Sequence, residues 1–246
     1  MHRFFVPTKA LEKSPVVISG AEARHMSTVL RLKPGNRVIL MDGQDHVVSA
    51  AITACGKGRV ETQIIARLPP SGESPLRLSV AQAFLKSHKM DSILRHLTEL
   101  GVQRWLPFAS RRSVAKPSGD RLQHRVKRWR DITKEAVKQC RRSRLPDIRP
   151  AENLRQVLEV ARDDNLKIIF WEAEKKRLSG IIDTFGRKSH SIFLIIGPEG
   201  GFSTEEIRTA TAHGFATAGL GPRILRAETA ALAVGALIQY TLGDMG

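Results

Sequence analysis

The sequence predicts an α/β fold: a mostly parallel sheet domain preceded by a small β-barrel carrying one helix. Three observations predict it. Strand-like and helix-like segments alternate from residue 77 to the end of the chain, which is the pattern of a parallel sheet with crossover helices. The run Ile192–Ile196 (IFLII) is apolar without alternation, as strands covered on both faces are. Pro69, Pro70, Ser71, Gly72, Ser74 and Pro75 crowd into seven positions and read as a linker. They divide the chain into residues 1–72 and 73–246.

In the first part, NRVILMDG and HVVSAAITAC read as strands around a turn at Asp42-Gly43. GAEARHMSTVLRL, from Gly20 to Leu32, predicts one helix, stopped by Lys33-Pro34-Gly35. In the second part, RLSVAQAFL is a strand and KMDSILRHLTELG a helix. WLPFAS is a strand, followed by a long helix from about Arg121 to Arg142. LKIIFWE precedes a helix at LSGIIDTFG, SIFLII precedes a helix from Thr204, and FATAGL precedes a last helix from Ala227 to about Leu242.

The 246 residues are 41% hydrophobic and 26% charged, a globular balance rather than a disordered one. No apolar run reaches membrane-spanning length, and the first residues lack the h-region of a signal peptide. The two cysteines, Cys55 and Cys140, have no metal-ligand spacing. The expectation is a reducing cytoplasm, with neither membrane nor metal. The net charge of +16 is unevenly spread: residues 76–150 hold 19 Lys/Arg against 6 Asp/Glu, whereas residues 151–246 hold 11 against 12. A confined basic zone suits a polyanion, above all nucleic acid.

The predicted helix Arg121–Arg142 carries much of this charge. Leu122, Val126, Trp129, Thr133, Ala136, Val137 and Cys140 share one face, and Lys127, Arg130, Lys134, Lys138 and Arg141 share an adjacent one. A solvated face usually mixes signs. Only Asp131 and Glu135 offset this one, so phosphate contact is the expectation. Ser110–Pro117 adds Arg111, Arg112 and Lys116 in a loop.

Two loops stand out. The first is GPEGG, Gly197–Gly201, at the carboxyl end of a predicted strand, where parallel sheets bind ligands. Its glycines allow close backbone approach or positive φ. Ser203 and Glu206 fit a capping box for the next helix. Glu199 would repel a phosphate, and there is no phosphate-binding GxxxxGK[ST] motif, so the common nucleotide-phosphate readings weaken. GLGPRI, Gly219–Ile224, lacks the third glycine of a dinucleotide fingerprint. No HExxH, GxSxG or paired-cysteine motif occurs, so a serine hydrolase or zinc enzyme has no support. The second loop, GLGPRILRAETAA, gathers Arg223, Arg226 and Glu228 before an apolar helix. It reads either as a site or as an Arg–Glu pair that ties the helix start down.

IIGPEGGFSTEE followed by LGPRILRAETA closely resembles the ribosomal RNA small subunit methyltransferase E family, within the SPOUT superfamily. KSHKMDSILRHLTELGV, RWRDITKEAVKQCRRSRLPDIRP and HMSTVLRLKPGNRVILMDG extend the resemblance over almost the whole chain. The family often has His-His where this chain has His25-Met26. The resemblance implies a PUA-like RNA-binding barrel over residues 1–72, then a SPOUT methyltransferase domain with a trefoil knot over 73–246, acting as a homodimer. It implies S-adenosyl-L-methionine as cofactor and N3 of a uridine in 16S rRNA of the 30S subunit as methyl acceptor. Alternatives are a SPOUT enzyme acting on another nucleotide or a non-catalytic RNA-binding protein.

Residue by residue, the resemblance implies a cofactor site made of Trp171, Glu172, Ile196, Gly197, Pro198, Glu199, Gly200, Gly201, Leu220, Gly221, Arg223, Ile224, Leu225, Arg226, Thr229 and Ala230. Backbone groups of Ile196, Leu220, Ile224 and Leu225 would grip adenine and ribose. A cation near the acceptor would stabilise charge on the carbonyl oxygens beside N3, which is the role expected of Arg226. Glu199 and Glu228 are candidate proton acceptors or orienters. The RNA-contact candidates are Arg3, Arg24, His25, Arg31, Arg111, Arg112, Lys134, Lys138 and Arg141.

Overall fold

A computed structural model describes residues 1–56, 58–86, 88–186 and 189–246. The chain forms two compact units. The first is Met1–Glu73 with Val137–Leu145, and the second is Ser74–Ala136 with Pro146–Gly246. Among the described residues, no helix is long and apolar enough to cross a membrane.

The first unit is a five-stranded mixed sheet of β1 (Arg3–Phe5), β2 (Val16–Ser19), β3 (Arg37–Met41), β4 (Val47–Gly56) and β5 (Arg59–Leu68), in the order β1-β3-β4-β5-β2. The alternation of Val38, Leu40, Val48, Ala50, Ile52 and Val60 points one face inward, onto Phe4, Val16, Ile18 and Met26. Two strands were legible as a pair around Asp42-Gly43; β1, β2 and β5 were not. The helix expected over Gly20–Leu32 is shorter. Helix α1 covers Gly20–Arg24 and a wider π-helical turn follows over His25–Val29.

The return segment Val137–Leu145 was not separable from the following domain by sequence. Val137 is buried with Ile39, Met41 and Val47. Arg142 is almost fully buried, and its Nη2 donates to Glu73 Oε2 at 2.8 Å. Glu73 Oε1 also accepts from the amides of Ser143 and Arg144 at 3.0 and 2.9 Å. One carboxylate thus holds a guanidinium and two consecutive amides, at the point where the linker leaves the unit.

The second unit is a six-stranded parallel sheet: β6 (Arg77–Ala83), β7 (Arg104–Phe108), β8 (Asp147–Ile148), β9 (Leu166–Phe170), β10 (Ser191–Ile196) and β11 (Ala216–Ala218). The order is β11-β9-β10-β6-β7-β8. The helices are α2 (Lys89–Glu99), α3 (Gly119–Cys140), α4 (Leu154–Val160), α5 (Leu178–Ile181), α6 (Thr204–Ala212) and α7 (Ala227–Leu242). The α/β expectation holds; the two-residue strand β8 and helix α4 are additions. Alternate residues of β6, β7, β9 and β10 enter separate cores. Ile192, Leu194 and Ile196 pack with α2, α3 and α7, whereas Phe193 and Ile195 pack with α4 and α6. This accounts for the unbroken apolar run in β10.

Of the stripe predicted on helix α3, Trp129, Thr133, Ala136 and Val137 are buried and Leu122, Val126 and Cys140 are half-buried. Trp129 packs edge-on to Trp105 with centroids 4.9 Å apart, and its indole N–H donates to Asp91 Oδ1 at 2.9 Å. Gln239 is a buried polar residue on the apolar helix α7. It donates to Leu100 O at 2.8 Å and accepts from Ser74 Oγ at 2.9 Å, so its amide is satisfied.

Removing one partner of a buried ion pair leaves an uncompensated charge. Glu73→Gln should lower stability by about 3–5 kcal/mol in urea unfolding. Unchanged stability would show that the pair does not hold the return segment.

Candidate active site

The three strands β9, β10 and β11 end level with one another, and the loop after each rises over the same edge of the sheet. Ile169 pairs with Ile195, and Phe170 with Ala218. The loops Trp171–Arg177, Gly197–Ser203 and Gly219–Arg226 enclose a cavity of about 540 Å³. Its apolar floor includes Phe170, Ile196, Ala218 and Ala230. This volume lies within the range of small-molecule sites.

The structure gathers in this one cavity Trp171, Glu172, Ile196, Gly197, Pro198, Glu199, Gly200, Gly201, Leu220, Gly221, Arg223, Ile224, Leu225, Arg226 and Ala230. Thr229, one turn into α7, is exposed and is not part of the lining. Sequence reasoning missed Lys89, which lines the cavity from the first turn of α2.

Local chemistry shapes the loops. Ser203 and Glu206 form the expected capping box: Glu206 N donates to Ser203 Oγ at 3.3 Å, and Ser203 N donates to Glu206 Oε2 at 2.8 Å. Gly201 has φ +66°, and a Cβ there would overlap the Glu172 carboxylate. A Cβ on Gly219 would overlap the backbone carbonyl of Glu174. At these two positions glycine is required by both space and backbone approach. Glu174 itself accepts from Thr217 Oγ1 and from the amides of Lys175 and Lys176. The Thr217 hydroxyl leads in holding this carboxyl below its ordinary pKa.

Among the described residues, the amides of Gly221, Arg223, Ile224 and Leu225 find no acceptor within the chain. Backbone donors facing a cavity need a partner, and a ligand can supply it.

The electrostatic centre is Lys89. Its Nζ lies 3.2 Å from Glu199 Oε1 and 3.2 Å from Glu228 Oε1. Lys86 N also donates to Glu199 Oε1, at 3.4 Å. Burial pushes the Glu199 carboxyl up, but its own amide, the Lys89 ammonium and the Lys86 amide outweigh this and hold it below the ordinary value. Hydrogen bonding to Glu199 leads in raising the Lys89 pKa. A lysine in the first turn opposes the helix dipole, and that misfit in KMDSIL was the available sequence signal.

The RNA-contact candidates divide. Arg24, Arg31 and Arg141 are exposed, and His25 is half-buried against Phe4. Lys134 is half-exposed, 3.9 Å from Asp131. Arg3 Nη1 donates to the carbonyls of Arg141 and Arg142 at 2.9 and 3.0 Å, and so helps to hold the return segment. Lys138 is mostly buried and ion-paired with Glu22 at 2.7 Å. Arg112 donates to Gly200 O at 3.0 Å and Phe202 O at 3.4 Å, and so clasps the glycine loop. Arg111 N donates to Glu206 Oε1 at 2.8 Å, and its guanidinium meets Glu205.

Residues 72–239 match a family model described as an RNA methyltransferase domain, and residues 18–65 match one described as an RNA methyltransferase PUA domain. The ribosomal RNA small subunit methyltransferase E of Bacillus subtilis is 29% identical over 98% of this chain and 96% of that protein. The protein of the same name from Mycobacterium bovis is 30% identical over 95% of this chain and 90% of that one. The crystal structure of a ribosomal RNA small subunit methyltransferase E from Neisseria gonorrhoeae, bound to S-adenosyl methionine, superposes with TM-score 0.90. It is 31% identical, and the match covers 100% of both chains. A PUA unit joined to a parallel sheet with a cavity at its carboxyl edge defines the class, an RNA methyltransferase. Within that class the chain belongs to the ribosomal RNA small subunit methyltransferase E family.

The depressed Glu199 carboxyl contributes stability above the ordinary carboxylate pKa, and this is lost as pH falls through the lower folded value. The raised Lys89 contributes stability that is lost only as pH rises through its folded value, above the ordinary lysine range. The melting-temperature gap between wild type and Glu199→Gln should therefore hold steady near neutrality and close below about pH 4. A gap that persists unchanged into strong acid would show that the carboxylate is not held by charge.

Proposed function

We propose that this chain transfers a methyl group from S-adenosyl-L-methionine to N3 of a uridine in 16S rRNA of the 30S subunit. The observation that carries the reading is the three-loop cavity, with its apolar floor and the amides of Gly221, Arg223, Ile224 and Leu225, which find no acceptor among the described residues. The apolar floor fits an adenine face, and the free amides fit ring and ribose acceptors. The names of the relatives and the cofactor bound in the Neisseria gonorrhoeae structure support the same reading.

When bound, the cofactor supplies a methyl group on an activated sulfonium. The chain's own groups must orient the acceptor nitrogen and lower the energy of its deprotonated form. Arg226 lines the cavity with an exposed side chain at the start of α7. It meets the negative charge that develops on a carbonyl oxygen beside N3. Glu199 lines the cavity and orients the incoming base, whereas Glu228 lies outside the lining and pairs with Lys89 at 3.2 Å. Because Glu199 sits below the ordinary carboxylate pKa, it is a weak proton acceptor, so its role is to orient.

RNA phosphates are met by Arg24, Arg31, His25 and Arg141 of the first unit and by Arg111 and Lys134 of the second. The trefoil knot of residues 73–246 belongs to the same proposal. So does a homodimer packed on α7, where Leu237 and Tyr240 are 46% and 66% exposed on an otherwise apolar helix. The enzyme works in the cytoplasm, where its ribosomal substrate is.

The test is to incubate 30S subunits lacking the modification with the protein and S-adenosylmethionine, then identify the methylated nucleoside by mass spectrometry. We expect 3-methyluridine. A different methylated nucleoside would make this an enzyme of other specificity, and no methylation together with no calorimetric heat from the cofactor would leave an RNA-binding protein. In the active enzyme, Arg226→Ala should lower kcat about 100-fold while leaving cofactor affinity within about threefold. Intact turnover would remove Arg226 from the mechanism.

A further inference from the structure

We propose that Lys89 is a further catalytic residue, donating a hydrogen bond to a carbonyl oxygen of the acceptor base and stabilising the negative charge that forms there. The inference rests on the methyl-transfer reading above.

Three observations carry it. Lys89 lines the cavity and keeps 32% of its side chain exposed. Its ammonium has three N–H donors, of which Glu199 and Glu228 take two, each at 3.2 Å. Among the described residues the third has no acceptor. The two carboxylates come from separate elements, the loop after β10 and the first turn of α7. They fix the ammonium from two sides, so a third donor direction is preorganised rather than free to swing.

The charge balance also favours this role. Two carboxylates beside the cavity would repel an acceptor base as it loses its proton. Lys89 is the cation placed between them, and their attraction keeps it protonated. An imide nitrogen lies between two carbonyl oxygens, and both share the negative charge once the proton departs. Arg226 can meet one oxygen and Lys89 the other. The proton from N3 passes to solvent, and the nitrogen lone pair forms the new N–C bond as the S–C bond breaks. The electron pair of that bond returns to sulfur. Lys89 keeps its own protons throughout.

The experiment compares Lys89→Met and Lys89→Arg in the full-length chain. Cofactor affinity is measured by calorimetry, kcat and KM on unmodified 30S subunits, and folding by thermal melting. We expect K89M to lose about 100-fold in kcat, with cofactor affinity and KM close to wild type and a melting temperature lowered about as much as in Glu199→Gln, which breaks the same ion pair, and K89R to recover most of the loss. Undiminished kcat in K89M overturns the proposal. So does a loss of cofactor binding or folding that matches the loss of activity, because Lys89 would then be only a latch between loop and helix. A K89R variant as inactive as K89M also overturns it. Failure of the underlying reading looks different: the wild-type protein itself then gives no cofactor heat or no methyl transfer to uridine.

Discussion

The register of three parallel strands is the constraint on which the site depends. Ile169 lies beside Ile195, and Phe170 beside Ala218, so the carboxyl ends of β9, β10 and β11 form one level edge. The loops that follow have to cross that edge. Strand β10 cannot slip within this arrangement. A shift of one residue would exchange Ile192, Leu194 and Ile196 with Phe193 and Ile195 between two cores of different shape. Packing on both faces of the sheet thereby sets the position of Gly197, Glu199 and Gly201 at the cavity. The glycines follow from the same crowding, because Gly201 and Gly219 stand where a side chain would strike Glu172 and the Glu174 carbonyl.

Charge is arranged as tightly as shape. Acidic groups line the cavity at Glu172 and Glu199, and Glu228 reaches the cavity-lining Lys89 from the first turn of α7, although the chain as a whole is strongly basic. A cationic sulfonium suits such surroundings and a phosphate does not, in line with the absence of phosphate-binding motifs. An RNA substrate meets the opposite problem, since its backbone is repelled by the same carboxylates. Lys89 offsets two of them at the cavity, and Arg112 binds the carbonyls of Gly200 and Phe202 on the same loop.

Much of this was legible in the sequence because it is local or periodic. The β–α alternation, the double-faced run in β10, the capping box at Ser203 and the glycine loop each rest on neighbouring residues, and residues of both conspicuous loops line one cavity. What was not legible depends on contacts distant in sequence. Arg142 is in the sequence only the last residue of a predicted basic helix, yet Glu73, sixty-nine residues away, pairs with it in a buried site. The partners of Arg3 and Lys138 are distant in the same way, being the carbonyls of Arg141 and Arg142 and the side chain of Glu22. Strands β1 and β2 are too short to show a period. Helix α1 ends early because its chain widens into a π-helical turn that buries Met26, a change that amphipathic spacing does not report. Lys89 was missed because its partners lie 110 and 139 residues further along.

The arrangement also bears on how an acceptor nitrogen could lose its proton. A carboxylate acting as general base works best when its pKa rises toward that of the acid it deprotonates. Glu199 moves the other way: its own amide, the Lys89 ammonium and the Lys86 amide outweigh the effect of burial. Such a group is a better anchor than a base. The alternative is to lower the energy of the deprotonated acceptor instead of strengthening the acceptor of its proton. The proposed roles of Lys89, an ammonium fixed between two carboxylates, and of Arg226, whose guanidinium has no acceptor among the described residues, follow that second route. The proton can then leave to water, and no side chain of this cavity has to carry it.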